Sequence, residues 1–321
     1  MNTIKWGIIG CGDVAEVKSG PAFQKVANSE LIAVMRRNGT KAKDFAKRHK
    51  VPFFYDSVND IINHKGINAL YIATPPSTHL EIAKQCLAAG KFVYLEKPMT
   101  MNADEAKTLE TFVKENHKIV VAHYRRNLPA FQKVKALLDA NSIGKVYFAD
   151  ITILQSTTNN VIAKTDDNWR LNPETSGGGY FHDIAPHQID LMLHYFGSIK
   201  TAEGFSTSIL NNKVADIVNG IIEFENGIQF RGIWNFIAAE KDVKDECKIY
   251  GENGTITFSF YGEEVLLNIS DKNNVFSFQN PAHVQQPLIE QTVNYFLGDR
   301  ENPCTIKDGV EVMKILDTFT T

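Results

Sequence analysis

Side chains able to exchange protons or bind cations are spaced along the stretch SGGGYFHDIAPHQID, residues 176–190. Asp183, His187 and Asp190 are separated by four and then three positions, so in a helix they share one face. Three glycines, residues 177–179, precede them, and glycine permits close backbone approaches that a side chain would block. A carboxylate and an imidazole beside a glycine loop suit general acid–base chemistry on a bound small molecule.

The same spacing has two other interpretations. Residues four apart on a helix often form a structural hydrogen-bonded pair. Asp183, His187, Asp190 and His194 could also form one side of a metal site, but no further cluster of ligands is visible in the chain. We therefore expect no metal.

A second chemical motif lies near the start of the chain. The apolar run from Ile4 to Ile9 predicts a buried parallel strand. Residues 10–15, GCGDVA, follow it and match the G-x-G-x-x-G/A dinucleotide fingerprint. In this turn the glycines permit the bend and the approach of a pyrophosphate, and a helix-forming stretch supplies its N-terminus to the phosphates. The residues expected at the phosphates are Gly10, Cys11, Gly12, Asp13 and Val14.

Strand and helix patterns alternate up to about residue 124. This alternation predicts a parallel sheet covered by helices on both faces, with ligands bound beyond the carboxyl ends of its strands. Further strands are predicted over 30–35, 69–79 (running into a proline turn), 91–98 and 118–124. Helices are predicted over 39–50, from the capping box at Thr78 and Glu81 to about Gly90, and over 102–116.

The end of the second predicted strand bears on the choice of cofactor. NAD enzymes usually carry an acid there, but this chain reads Arg36, Arg37 and Asn38. Two guanidinium groups suit the additional 2′-phosphate of NADP. The alternative is a pair of solvated surface arginines. We expect NADP, with NAD possible.

Beyond residue 124 the pattern changes to a helix over 129–144 followed by long β-rich stretches. Asn226-Gly227 and Asn253-Gly254 are hairpin signals between alternating strands. The sequence thus predicts an α/β protein with two domains, a doubly wound parallel-sheet domain over 1–123 and an antiparallel-sheet domain over 124–321. The open face of the second sheet predicts a homodimer or homotetramer.

Composition excludes several classes of protein. The chain has 321 residues, 43% of them hydrophobic, and a net charge of −3. Neither nucleic acid nor a membrane surface is therefore an expected partner. Four scattered cysteines and the lack of a signal-peptide pattern favour a soluble, cytoplasmic protein.

Four stretches, in this order and spacing, resemble the glucose–fructose oxidoreductase/inositol dehydrogenase (Gfo/Idh/MocA) family along essentially the whole chain. They are GIIGCGDVA near the start, IATPPSTH at 72–79, YLEKPMT at 94–100 and GGGYFHDIAPHQIDLM at 177–192. The resemblance implies an N-terminal Rossmann domain and a C-terminal α/β domain with a large, mainly antiparallel sheet. It also implies oxidation or reduction of a carbon of a sugar, polyol or related cyclic compound with NAD(P).

The resemblance also assigns site residues. Lys97 matches the lysine of the family's Glu-Lys-Pro motif, expected close to the nicotinamide and the reacting hydroxyl, and Asp183 and His187 match the pair that completes the active site. The remaining assignments are Thr74, Pro75, His79, Glu96, Trp169 and Arg170 along the cofactor, and Arg125 and Tyr180 as substrate contacts.

The leading hypothesis is an NADP-preferring oxidoreductase acting on a carbohydrate-like alcohol or ketone. One alternative is a redox-neutral glycosidase that keeps its nicotinamide cofactor tightly bound. Another is a non-catalytic NADP-binding regulator, which the presence of Lys97 and His187 disfavours.

Overall fold

The computed structural model describes residues 2–157, 169–210, 213–270 and 272–320. The chain divides into two compact units, Met1–Arg125 with Pro281–Met313, and Arg126–Asn280 with Lys314–Thr321. The sequence predicts one continuous second domain, whereas the structure groups Pro281–Met313 with the first unit. The physical reason is aromatic packing, since the ring of Phe296 lies 5.7 Å from that of Trp6 and 5.0 Å from that of Phe92.

The first unit contains a parallel sheet whose strands are β1 (Ile4–Ile9), β2 (Ser29–Met35), β3 (Phe53–Tyr55), β4 (Ala69–Ile72), β5 (Phe92–Leu95) and β6 (Ile119–Val121). They pair in the order β3-β2-β1-β4-β5-β6, all parallel. This confirms the predicted doubly wound sheet. The strand order reverses between β1 and β4, and sheets of this type bind dinucleotides at the carboxyl side of that point.

The α-helices of the described residues are α1 (Gly39–Arg48), α2 (Val58–Ile62), α3 (His79–Ala88), α4 (Ala103–Phe112), α5 (Pro129–Asp139), α6 (Pro173–Ser176), α7 (Gly179–Phe196), α8 (Gln286–Leu297) and α9 (Ile306–Thr320). Short 3-10 helices lie at Gly20–Gln24, Pro76–Thr78, Tyr124–Asn127, Trp169–Leu171 and Glu240–Asp242. In the part of the chain that the structure describes, no helix combines the length and apolarity needed to cross a bilayer.

The segment after the fingerprint departs from the regular helix that the sequence predicts. It changes from a π-helix over Ala15–Ser19 to a 3-10 helix over Gly20–Gln24. A Cβ at Gly20 would lie 2.4 Å from the Ala15 carbonyl oxygen, so glycine permits the close backbone approach at this change. The fingerprint therefore opens a short irregular helical segment, and a long helix with a full macrodipole is not formed there.

The second unit contains an eight-stranded sheet. Its strands are β7 (Val146–Leu154), β8 (Ile199–Thr207), β9 (Ile217–Phe224), β10 (Gln229–Asn235), β11 (Lys244–Gly251), β12 (Gly254–Phe258), β13 (Glu264–Ile269) and β14 (Lys272–Ser277). Their order is β14-β13-β12-β11-β7-β10-β9-β8. The pair β7–β10 is parallel and the other pairs are antiparallel, which confirms the predicted mainly antiparallel sheet.

One face of this sheet forms the core of the second unit. The ring of Phe181 from α7 lies 5.2 Å from that of Trp234. Gly204 and Gly220 are cross-strand partners, and a Cβ at Gly220 would lie 2.1 Å from the Phe319 ring. The two glycines therefore make room for Phe319, and the end of α9 packs on this sheet.

Candidate active site

The fingerprint turn lies at the carboxyl end of β1. Gly10 has φ +96°, and a Cβ there would lie 2.7 Å from the Ala73 oxygen and 2.9 Å from the Thr74 nitrogen. The backbone N–H groups of Gly10 and Cys11 both donate to the Met35 oxygen, at 2.9 and 3.1 Å. The structure thus brings Gly10 and Thr74 together, and the fold itself requires glycine at position 10.

Gly12 differs from Gly10, because nothing in the protein requires its lack of a side chain. Its φ lies outside the left-handed region, and a Cβ built on it meets no atom within 4 Å. Open space over a glycine backbone fits the close approach of a pyrophosphate. Asp13 is exposed and Val14 half-buried at the start of the following helical segment. The residues present therefore fit a dinucleotide.

Cys11 lies inside the fingerprint and is buried. Burial raises the pKa of its thiol to about 11. The thiol is therefore protonated near neutral pH, and Cys11 packs as a small apolar residue and is no nucleophile.

Arg36 and Arg37 follow β2 directly. The backbone N–H of Arg36 donates to the Tyr55 oxygen at 3.2 Å, while the side chain is half-buried and that of Arg37 is exposed. Asn38 caps α1, and its Oδ1 accepts a hydrogen bond from the Lys41 N–H at 3.0 Å. Both arginines therefore lie between the carboxyl end of β2 and the first turn of α1.

The backbone around Lys97 is held on both sides. Glu96 Oε2 accepts a hydrogen bond from the Lys97 N–H at 3.0 Å. His79 Nδ1 lies 3.0 Å from the Pro98 oxygen, and His79 Nε2 lies 2.8 Å from the Thr74 oxygen. The half-buried side chain of Lys97 thus extends from a backbone segment that hydrogen bonds hold in place just after β5.

His79 and Glu96 face the protein interior. His79 is fully buried, and burial lowers the pKa of its imidazole. The exposed fraction of Glu96 is 6%. The sequence assigns both residues to the cofactor surface. In the structure their side chains contact the backbone of Thr74, Lys97 and Pro98. Their contact with the cofactor stays a prediction, as does that of Pro75, half-buried beside Thr74.

Helix α7 carries His187 between two carboxylates, each paired with an arginine. Arg170 Nε donates to Asp183 Oδ2 at 2.7 Å. Arg126 Nε and Nη2 donate to the two oxygens of Asp190 at 2.8 and 2.6 Å. The common face inferred from the spacing is therefore present, and it is more elaborate than a simple carboxylate–imidazole pair.

The two carboxylates differ in access to solvent. The side chain of Asp183 is 21% exposed and that of Asp190 is 1% exposed. Arg126 is missing from the sequence-based assignments, which name its neighbour Arg125. Asp190 shares the helix face with His187, which was a usable signal, but its partner lies 64 residues away in the chain.

Trp169 and Arg170 join Asp183 in one cluster. The Arg170 guanidinium carbon lies 4.6 Å from the centre of the Trp169 ring. One arginine thus contacts an aromatic face and a carboxylate. Across the described residues, no group of three or more His, Cys, Asp or Glu side chains is arranged to hold a metal ion.

The three glycines at the start of α7 have an explanation within the protein itself. Gly177 and Gly179 have φ +86° and +73°. A Cβ at Gly178 would lie 2.0 Å from His182 Nδ1, and one at Gly179 would lie 2.7 Å from Val214 Cγ2. Tight turns and close packing therefore explain these glycines without reference to a ligand.

The two expected substrate contacts, Arg125 and Tyr180, lie in different units. The Arg125 guanidinium carbon lies 5.6 Å from the centre of the Tyr124 ring, and Arg125 is buried. Tyr180 is half-buried, with its ring 5.8 Å from that of Phe236. Their contact with substrate stays a prediction.

Comparisons with known proteins cover both units. The model of the oxidoreductase family with an NAD-binding Rossmann fold matches residues 4–124, and the model of the GFO/IDH/MocA C-terminal domain matches residues 131–257. Oxidoreductase P35 of Formosa agariphila is 53% identical over 318 residues, covering 98% of each chain. The scyllo-inositol 2-dehydrogenase (NADP+) of Bacillus subtilis is 31% identical over 202 residues, which are 62% of this chain and 54% of the relative.

Solved structures share the fold along the whole chain. Levoglucosan dehydrogenase in complex with NADH and levoglucosan superposes with a TM-score of 0.88 at 21% identity, covering 99% of this chain and 96% of that one. The aldose–aldose oxidoreductase of Caulobacter crescentus, complexed with glycerol, gives a TM-score of 0.86 at 18% identity with the same coverage.

Proposed function

The chain belongs to the Gfo/Idh/MocA family of oxidoreductases, and from this premise we propose that it transfers a hydride between NADP and a carbon of a sugar, polyol or related cyclic alcohol or ketone. The observation that carries the proposal is the arrangement on α7, where Asp183, fixed by Arg170, lies one turn before His187. Residues four apart face each other on a helix, so Asp183 can orient the His187 imidazole for the proton exchange that oxidation of a hydroxyl needs.

Each residue has a separate task in this reaction. The nicotinamide, when bound, supplies the carbon that accepts or donates the hydride. His187 takes the hydroxyl proton on oxidation and returns it on reduction, and histidine suits this exchange near neutral pH. Lys97 stabilises the negative charge that develops on the oxygen. Asp183, held by Arg170, orients the imidazole or the substrate.

The preference for NADP rests on Arg36 and Arg37. The two arginines follow the end of β2, where this type of fold recognises the ribose of the cofactor. A 2′-phosphate on that ribose would accept charged hydrogen bonds from their guanidinium groups. The relatives themselves differ, because one is named for NADP+ and another was solved with NADH. The proposed preference for NADP over NAD therefore rests on Arg36 and Arg37 and not on the relatives.

The substrate class follows from the relatives together with the site. The compounds named with them, scyllo-inositol, levoglucosan and aldoses, all carry several hydroxyl groups. Polar groups such as Asp183 and His187 suit a substrate that offers hydroxyls as donors and acceptors. We therefore assign a polyhydroxylated, carbohydrate-like substrate.

We also propose that the second unit forms a homodimer or homotetramer through the outer face of its sheet. Phe148 and Tyr250 stack on this face with ring centres 4.2 Å apart. Phe205 is 77% exposed and Ile221 55% exposed on neighbouring strands. Exposed apolar side chains on one face of a sheet favour burial against a second copy.

A panel of sugars, polyols and their keto forms tests the function, with NADPH absorbance as the readout. We expect turnover with at least one compound, dependent on added NADP+ or NADPH and lost in His187→Ala. Release of a sugar from a glycoside without added cofactor would support a glycosidase. NADP binding without turnover on the whole panel would support a regulator. Either result contradicts the proposal.

A further inference from the structure

Gln285 lies directly before α8, in the segment that returns to the first unit, and is fully buried. Its backbone N–H donates to the Lys18 oxygen at 3.2 Å, and His283 Nδ1 lies 2.9 Å from the Val17 oxygen. Lys18 and Val17 belong to the π-helix that follows the fingerprint. The backbone of residues 283–285 is thereby attached to the start of the nucleotide-binding half.

The side-chain amide of Gln285 has a defined orientation. Its Nε2 donates to Glu96 Oε1 at 2.5 Å, and its Oε1 accepts a hydrogen bond from the Tyr94 hydroxyl at 3.0 Å. The two ends of the amide thus meet partners of opposite type, an acceptor and a donor. Reversal of the amide would place Gln285 Oε1 against the Glu96 carboxylate, which has no hydrogen to donate.

Glu96 Oε1 also accepts a hydrogen bond from the Tyr71 hydroxyl at 2.5 Å. Tyr71 in turn accepts one from Ser19 Oγ at 3.2 Å. Burial raises the pKa of Tyr71 well above the ordinary range, and the charge of Glu96 raises it further. The hydroxyl is therefore protonated near neutral pH and donates to Glu96.

The other oxygen of the same carboxylate reaches the active-site backbone. Glu96 Oε2 accepts a hydrogen bond from the Lys97 N–H at 3.0 Å. Hydrogen bonds to a carboxylate are shorter and stronger than those between neutral groups, so its orientation is set by the donors on Oε1. A change at Gln285 is thus transmitted through one carboxylate to the peptide of Lys97.

We propose that Gln285 is a positioning residue for the oxidoreductase reaction, fixing Glu96 and through it the peptide from which Lys97 reaches the substrate. This rests on the proposed function, because it takes Lys97 as the cation that stabilises charge on the reacting oxygen. The side chain of Gln285 acts on Glu96, whereas its tie to Lys18 is made by its backbone and survives side-chain replacement.

The test compares Gln285→Met, which keeps the length of the side chain and removes the amide, with Thr292→Val inside α8. Thr292 is also fully buried, and its hydroxyl donates to the Leu288 oxygen at 2.8 Å. Each variant loses hydrogen bonding in the core next to α8, but only Gln285→Met changes the surroundings of Glu96. Thr292→Val therefore reports the effect of losing a buried hydrogen bond that does not involve Glu96.

Two readouts separate positioning from stability. Hydrogen–deuterium exchange of the peptide containing Lys97 needs no substrate, and we expect faster exchange in Gln285→Met and unchanged exchange in Thr292→Val. With the best substrate of the panel, we expect kcat of Gln285→Met to fall by about tenfold to a hundredfold, the range that small misplacements of reacting groups produce. The Kd for NADP+ should stay within severalfold, and KM should change little.

A double-mutant cycle with Glu96→Gln tests the route. In the Glu96→Gln background, adding Gln285→Met should cost no further kcat, because the carboxylate that it orients is gone. If Gln285→Met does not fold, Tyr94→Phe removes the donor that orients the amide, and kcat should then fall severalfold.

Some results overturn the proposal. One is a kcat and a hydrogen exchange of the Lys97 peptide that equal those of wild type in Gln285→Met, or in Tyr94→Phe where that variant replaces it. The other is a fall in kcat and a rise in exchange in Thr292→Val that equal those in Gln285→Met. Lys97→Met is measured in parallel, and near-wild-type turnover there contradicts the proposed function itself. Loss of turnover in Lys97→Met together with unchanged Gln285→Met contradicts only the role of Gln285.

Discussion

Arg170 Nε donates to Asp183 Oδ2 at 2.7 Å, one helical turn before His187. The next turn of α7 repeats the arrangement with Asp190 and Arg126, but that pair is almost wholly buried. One helix face thus carries two ion pairs of the same type in different surroundings. We infer that Asp183 serves the reaction and Asp190 the stability of the second unit.

Replacement of the two aspartates separates these roles. Asp190→Ala leaves the buried Arg126 without its carboxylate and should lower the free energy of unfolding by about 3–5 kcal/mol. Asp183→Asn should lower it less, because this carboxylate is partly solvated, and should lower kcat more. Urea unfolding and turnover of both variants check this. If Asp183→Asn and Asp190→Ala lose the same stability and the same kcat, the assignment of separate roles to the two aspartates is wrong.

His187→Ala and Lys97→Met test the proton exchange and the charge stabilisation. Each should lower kcat by at least about 10², the lower end of the range for general acid–base catalysis. The Kd for NADP+ should stay within severalfold, measured by titration. Near-wild-type single-turnover rates in either variant would remove that residue from the mechanism. Loss of NADP+ binding alone would make it a cofactor ligand.

Arg36→Asp tests the choice of cofactor. A charged hydrogen bond contributes roughly 1.5–3 kcal/mol, so NADP+ should bind about tenfold to a hundredfold more weakly, with a much smaller change for NAD+. Lys43→Asp, an exposed position on α1, makes the same charge change and is the control. If wild type binds NAD+ at least as tightly as NADP+, the assignment of Arg36 is wrong.

The two fingerprint glycines predict opposite phenotypes. Gly12→Ala adds a methyl group into open space and should leave thermal stability without cofactor unchanged while weakening NADP+ binding. Gly10→Ala forces a strained φ against the Ala73–Thr74 backbone and should lower the free energy of unfolding by about 1–3 kcal/mol. Thermal unfolding and cofactor titration check both. Wild-type affinity in Gly12→Ala would contradict the phosphate site.

Ile221→Lys tests assembly through the sheet. Ile221 pairs with Arg231, which pairs with Asp150, in the middle of the outer face, so a buried lysine there should dissociate the oligomer. Size-exclusion chromatography with light scattering gives the mass of each variant. Val17→Lys makes a similar change at an exposed aliphatic residue of the first unit and should leave the mass unchanged. A monomeric wild type would contradict the proposal.

The sequence by itself determined the classes of the two sheets. Continuous apolar runs separated by helices predict a parallel sheet, and alternating runs with glycine turns predict an antiparallel one. Gly227, with φ +81° in the turn between β9 and β10, is one such signal. The common face of Asp183, His187 and Asp190 follows in the same way from helix geometry. These features depend on residues within one or two turns of each other, so one chain is enough to infer them.

Only the tertiary structure decided which side chains support the site. The hydrogen bond between Arg126 and Asp190 spans 64 residues, and that between Gln285 and Glu96 spans 189. The inward orientation of His79 and Glu96, and the return of α8 to the first sheet, likewise depend on packing between distant segments. A buried polar group must find its partner wherever the folded backbone provides one, and local spacing in the chain carries no information on where that is.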